Sequence, residues 1–263
     1  ADKLQAANDD VTRLITQQDA VLAGRADPGS EDMQRWNEVK AAWGAIVANK
    51  PGSVAEVIRR HTELRQKILD YRDYIASNSD LVLDADPVTY FIIDATVMQI
   101  PNYESYVTEM RSHAASVGAA GKSTMADVEA ITRSKVLAGG ALDQIESDIR
   151  HAAEGGAAGS ALRAGAEQSL TQVRGAFDAF SKYVQENVTS GAISDPLDSV
   201  LQNASQLTAA ISSFHDSMQQ AVEAQLQHNL TALRATRNRM VLLLSLSVAL
   251  GIGFMGVFIG TTV

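Results

Sequence analysis

Residues 240–263, MVLLLSLSVALGIGFMGVFIGTTV, contain no charged side chain. At about 1.5 Å per residue a helix of that length reaches roughly 36 Å, enough to cross a hydrocarbon layer of about 30 Å with some tilt. The sequence therefore predicts a transmembrane helix over 240–263, with the lipid bilayer as a partner and a polar, amphipathic domain over 1–239. Arg234, Arg237 and Arg239 precede the span and suit a headgroup layer. Within it, Gly256 and Gly260 have the small-xxx-small spacing that lets two membrane helices approach closely, with Gly253 one turn before them.

The remainder reads as helix throughout. Aromatic residues make up only 5% of the chain and proline occurs five times, a balance that favours long helices packed side by side over an α/β core. Apolar residues recur in three- and four-residue steps along successive segments. The first, 2–23, carries Leu4, Ala7, Val11, Leu14, Gln18 and Val21. The second, 31–48, carries Trp36, Val39, Trp43 and Ile46. The third, 54–78, opens on a Ser53/Glu56 capping box and carries Val57, His61, Leu64, Ile68, Tyr71 and Ile75. The fourth starts at Asp86-Pro87, an N-cap followed by a proline whose missing N–H is harmless there, and runs to about Val117 with a kink or break at Pro101. The fifth, 123–153, uses Val128, Ile131, Ala138, Leu142, Ile145 and Ile149. The sixth, 158–189, uses Ala166, Leu170, Val173, Phe177, Phe180 and Val184. The seventh starts near Asp195-Pro196 and uses Val200, Ala204, Leu207, Ile211, Phe214, Met218 and Ala221, then shifts to Leu226, Leu230 and Leu233. No helix breaker separates Leu197 from Gly251. The expected fold is all-α: a long up-and-down helical bundle, with length for two stacked four-helix modules, running into a C-terminal transmembrane helix.

Chemistry has little to rest on. There is no cysteine, and the five histidines (His61, His113, His151, His215, His228) lie singly, without metal-ligand spacing. The GxGxxG at 251–256 lies inside the apolar span with no strand before it, and Gly121-Lys122-Ser123 reads as a turn and helix cap. No enzyme activity and no cofactor are expected. A net charge of −9 without a basic block argues against nucleic acid. The candidate ligand-binding residues are Arg60 and His61 on the third helix and Tyr90 and Asp94, one turn apart, on the fourth. They are polar groups that could converge between the two helices on a small anionic or polar ligand. For His61 and for Tyr90 with Asp94, a structural contact inside the bundle is the plainer reading.

Arg60-His61-Thr62, followed by LVLDADPVTYFIIDATVMQIP (81–101), resembles the extracytoplasmic helical sensor domains of bacterial methyl-accepting chemotaxis proteins and related sensor histidine kinases. In those an RHT segment leads into LLLDPDPxTYYLMDxxxxxLP. The matching positions are Leu83, Asp84, Asp86, Pro87, Thr89, Tyr90, Asp94 and Pro101, with Ala85, Phe91 and Ile100 as mild departures. The resemblance covers roughly 55–115. It implies a periplasmic domain over 1–239 anchored in the bacterial inner membrane. It also implies a membrane helix before Ala1, a signal-relay module after Val263, and homodimers. The alternative is a tail-anchored scaffold or tether with a cytoplasmic bundle, because the arginines before the span would place it there by the positive-inside rule.

Overall fold

The computed structural model describes residues 2–24, 29–48, 52–79, 86–155, 157–190 and 197–262, the side chains of 2–4, 7, 157–164 and 241–262 excepted. The described residues are almost entirely helical and contain no strand. In order they form α1 (Asp2–Ala23), α2 (Glu31–Ala48), α3 (Val54–Asn78), α4 (Pro87–Ile93), a π-helical turn (Asp94–Gln99), α5 (Ile100–Ala120), α6 (Met125–Ala153), α7 (Ala157–Val184), a second π-helical turn (Gln185–Thr189) and α8 (Leu197–Thr262). By packing, the chain divides into two compact units, 1–218 and 219–263. The hydropathy boundary expected at 239/240 is a different division, since the buried stripe of α8 ends at Met218.

The main core of the first unit lies among the helices of residues 87–218. α6 runs antiparallel to the segment 87–120: Phe91 stacks on His151, and Arg133 pairs with Glu109 at 3.1 Å. α7 runs antiparallel to α6, held by Arg174 at 2.8 Å from both Asp143 and Glu146. α8 runs antiparallel to α5, joined by Arg111 with Thr208 and by His215 with Glu104. The anticipated stripes of α6, α7 and the first part of α8 are the ones that pack, whereas Leu230 and Leu233, expected to continue the α8 stripe, are exposed. Ile131, Ala138, Leu142, Ile145 and Ile149 of α6 are buried. So are Ala166, Leu170, Val173, Phe177, Phe180 and Val184 of α7, and Val200, Ala204, Leu207, Ile211, Phe214 and Met218 of α8. Each Val, Leu, Ile, Phe or Met among them is worth about 1.5–3 kcal/mol when removed from water. Tyr103 of α5 meets Phe177 edge-on, with ring centres 5.8 Å apart, in the same core.

Caps set the ends. Asp86 accepts from the Thr89 N–H at 3.2 Å, with Pro87 beside it at the helix start. Thr124 and Asp127 form a reciprocal capping box for α6. Ser53 accepts from the Glu56 N–H, whereas the Glu56 carboxylate takes the N–H of Gly52, one residue ahead of the cap. Gly121 closes α5 at φ 66°, a left-handed position that glycine adopts without strain. At the end of α6, a side chain on Gly155 would collide with Val88 of α4, so glycine allows that close approach.

The chain stays helical through Pro101, with a π-helical turn rather than a non-helical break ahead of it. The proline lacks the N–H that an α-helical bond to residue 97 needs, and the backbone answers with the π-turn just ahead of it, where the Ile100 N–H reaches back to Ala95 O. Arg72 of α3 supports the turn: its guanidinium donates to Met98 O and to Asn102 Oδ1, both at 3.3 Å.

α1–α3 form a smaller cluster of Leu22, Trp36, Val39 and Tyr71, flanked by Ile15, Met33, Leu64 and Ile75. Here the expected α1 face is wrong by one residue. Leu14 is 55% exposed and Val21 49%, while Leu22 is 4% exposed. The reason is polar: Asp19 accepts from Trp36 Nε1 at 2.7 Å and from Lys40 Nζ at 2.8 Å, and these bonds hold its carboxyl pKa below the usual value. Turning Asp19 toward α2 brings Ile15 and Leu22 inward and Leu14 and Val21 out. On α3, Ile68 and His61 of the expected stripe are exposed.

Among the described residues no helix is long and apolar enough to cross a membrane. The backbone is helical to Thr262, but the side chains of 241–263, on which the expected span falls, lie outside the described residues. Leu22→Ala is expected to lower unfolding free energy by about 2–5 kcal/mol, whereas Val21→Ala changes it by less than about 0.5 kcal/mol. Urea denaturation of the two variants measures both, and equal losses would restore the other face of α1.

Candidate functional site

The π-turn places Asp94 against α6. Its partner there is Asp148, which is 1% exposed. Asp148 Oδ1 accepts from Gln144 Nε2 at 2.9 Å; its Oδ2 is buried with no hydrogen-bond partner among the described residues, and the Asp94 carboxyl lies close enough to act on the Asp148 side chain. Asp94 Oδ2 in turn accepts from Gln99 Nε2 at 3.2 Å, across the π-turn. Burial first, and the Asp94 carboxyl second, raise the Asp148 pKa from an ordinary 3.8 to about 7.

Aromatic rings stand one turn away. Phe91 stacks on His151 with ring centres 4.9 Å apart, and Tyr90 meets Phe91 edge-on at 5.1 Å. Ser147 Oγ lies 3.4 Å from His151 Nδ1. Thr96, inside the π-turn, is buried, and its hydroxyl has no hydrogen-bond partner among the described residues. The chemistry available is that of a proton held on a buried Asp148 carboxyl beside a second acid. Among the described residues no group of three or more His, Asp or Glu is arranged to hold a metal ion.

The four residues expected to converge are separated. Tyr90 and Asp94 belong to the α4–α6 junction, Tyr90 at its surface (40% exposed) and Asp94 half-buried. Arg60 and His61 lie elsewhere on α3. Arg72 bonds Met98 and Asn102 while Arg65, seven residues earlier, lies near Glu109, so α3 runs antiparallel to α5, which puts Arg60 and His61 opposite the stretch around Arg111, roughly 30 Å along the helices from Tyr90 and Asp94. Arg60 pairs with Glu56 and donates to Ala45 O at 3.4 Å. His61 is exposed, and its Nδ1–H donates to the Val57 carbonyl at 2.9 Å, so it is a surface residue bonded within its own helix. The groove beside Arg60, about 400 Å³ between α2 and α3, is lined by charges already matched: Arg59 with Glu63 at 2.6 Å and Lys67 with Glu38 at 2.8 Å.

Asp148, Gln144, Gln99 and His151 escape the sequence reading. The signal for Asp148 is present, because it stands three residues after Ile145 and four before Ala152, on the buried face of α6. An acid in that register is a buried acid.

A raised aspartate pKa means that the folded chain holds the proton more tightly than the unfolded one. The stabilisation is therefore complete below pH 3.8 and is lost as pH rises through about 7. Asp148→Asn keeps the shape, removes the titration and is expected to flatten the fall in Tm across that range. A Tm profile with an unchanged slope would show that the proton is held elsewhere. Comparison of the chain with protein-family models, with curated proteins and with solved structures returns no match.

Proposed function

We propose that residues 1–239 are the periplasmic sensor domain of a bacterial transmembrane receptor of the methyl-accepting chemotaxis class, and that 240–263 is the helix that carries its state across the inner membrane. The observation that carries this reading is α8. It begins inside the core, with Val200, Leu207, Phe214 and Met218 buried, and continues without interruption to Thr262 through the uncharged stretch. A ligand that binds one packing of the bundle better than another shifts α8 along or about its axis, and an unbroken helix needs no hinge to pass the shift on. The usual coupling of about 1–3 kcal/mol is within the reach of a few rearranged core contacts.

The residues of the resemblance support this reading by having work at one junction. Asp86 and Pro87 start α4, Asp94 faces Asp148, and Pro101 goes with the π-turn. A homodimer would set two copies of the span side by side, with Gly256 and Gly260 at the contact. A tail-anchored scaffold with a cytoplasmic bundle is the second reading, favoured by Arg234, Arg237 and Arg239 before the apolar stretch.

The absence of cysteine makes the test direct. Met125 is 82% exposed, so Met125→Cys is a single reporter thiol. In intact cells a membrane-impermeant maleimide is expected to label it, and the protein is expected to stay with the membrane through alkaline extraction. Protection from the reagent until lysis supports the scaffold and overturns the receptor. Inserting Gly-Pro between Leu233 and Arg239 is expected to abolish signalling to the output module while leaving the Tm of the bundle unchanged. Signalling that survives the insertion rules out transmission through α8.

A further inference from the structure

The seam between α5 and α8 opens into a groove of about 290 Å³, floored by Val107 and Ile211. At one end Arg111 donates to Thr208 Oγ1 at 3.2 Å. At the other end His215 Nδ1–H donates to Glu104 at 3.1 Å, with Asp216 beside it. Hydroxyls of Thr108 and Ser212 line the middle.

Two of these charges are unmatched. Arg111 has a neutral hydroxyl as its hydrogen-bond partner and no carboxylate paired with it among the described residues, although acids outnumber bases 31 to 22 in the chain. A guanidinium is built to take a carboxylate in two parallel hydrogen bonds. Asp216 makes no hydrogen bond or ion pair among the described residues and acts on His215 through space alone. The groove therefore has a positive end whose guanidinium has no carboxylate among the described residues, and a negative end where two carboxylates, Glu104 and Asp216, share the one histidine His215.

We propose that this groove binds a small linear zwitterion, an ω-amino carboxylate, with its carboxylate on Arg111 and Thr208 and its ammonium on Asp216 and Glu104. Charge excludes the alternatives: a dianion would meet Glu104 and Asp216, and a diamine would meet Arg111. Length narrows the class. Arg111 and Glu104 are seven residues apart on α5, as are Thr208 and His215 on α8, so the two ends are about 10 Å apart along the helix backbones. A chain with four or five bonds between nitrogen and carboxyl carbon suits two ends separated by two helical turns better than the two bonds of an α-amino acid do. The occupant would tie α8 to α5 close to Met218. This consequence rests on the sensor reading; the binding itself does not.

Isothermal titration of the purified chain in detergent uses 4-aminobutyrate and 5-aminovalerate as probes, with glycine and succinate as comparisons. Saturable binding of the two ω-amino acids is expected, with glycine and succinate weaker by about tenfold or more. Arg111→Ala and Asp216→Ala are each expected to weaken binding by about tenfold or more with the helical circular dichroism retained. Arg174→Ala, in the α6–α7 groove, is expected to leave it unchanged. No saturable binding by the unaltered chain, a preference for glycine or succinate, or full affinity in Arg111→Ala overturns the proposal. Binding together with a cytoplasmic Met125→Cys keeps the site and discards the sensor reading. A periplasmic Met125→Cys without binding discards the site alone.

Discussion

The first unit depends on one constraint: a chain with few aromatic rings must bury enough aliphatic surface to order long helices. Each ordered residue loses about 1–2 kcal/mol of backbone freedom, and only burial on this scale offsets it. α7 and α8 meet the constraint with stripes in unbroken three-four order, α6 with a stripe that includes Ser134 and Asp148, and 87–120 supplies the facing surface through Ile92, Ile93, Ile100, Val107, Met110 and Val117. Four of the large rings, Tyr103, Phe177, Phe180 and Phe214, are buried in this core. The antiparallel pairings at Phe91–His151, Glu109–Arg133 and Arg174–Asp143 then fix how far each helix slides along the next.

Within that core the buried acid, Asp148, lies where the helix of 87–120 departs from α geometry, while Ser105, Ser134 and Ser181 are buried elsewhere. A π-turn arises because Pro101 cannot complete the α pattern, and π-turns recur at functional sites. The turn is braced from α3 by Arg72 and faces a buried acid on α6. Proline, π-turn and carboxyl pair are thus consecutive links of one local argument: a missing donor changes the backbone, and the changed backbone presents Asp94.

The legible part of the fold is the part in which apolar periodicity was sufficient. The faces of α6, α7 and α8 could be read because Leu142, Phe180 and Phe214 each stand in long runs with no competing face. α1 could not be read that way. It has two apolar stripes one residue apart, and Asp19 chooses between them through a partner, Trp36, that is distant in sequence. The candidate site was half legible: Tyr90 and Asp94 do lie at one junction. Arg60 and His61 do not join them, because the register of α3 on α5 is set by Arg72, which no local pattern reveals. Asp148 was hidden by its type, since an acid interrupts the apolar pattern that identifies a buried face.

The seating of α1 carries a consequence of its own. Its two stripes offer comparable greasy surface, so solvent exclusion alone scarcely prefers one roll angle over the other. What decides is a carboxylate gripped by an indole and an ammonium at the edge of the cluster, where water and dissolved ions can compete for it. The first helix is thereby oriented by its polar grip, and its roll answers to the solution around it more directly than that of any helix locked in the main core.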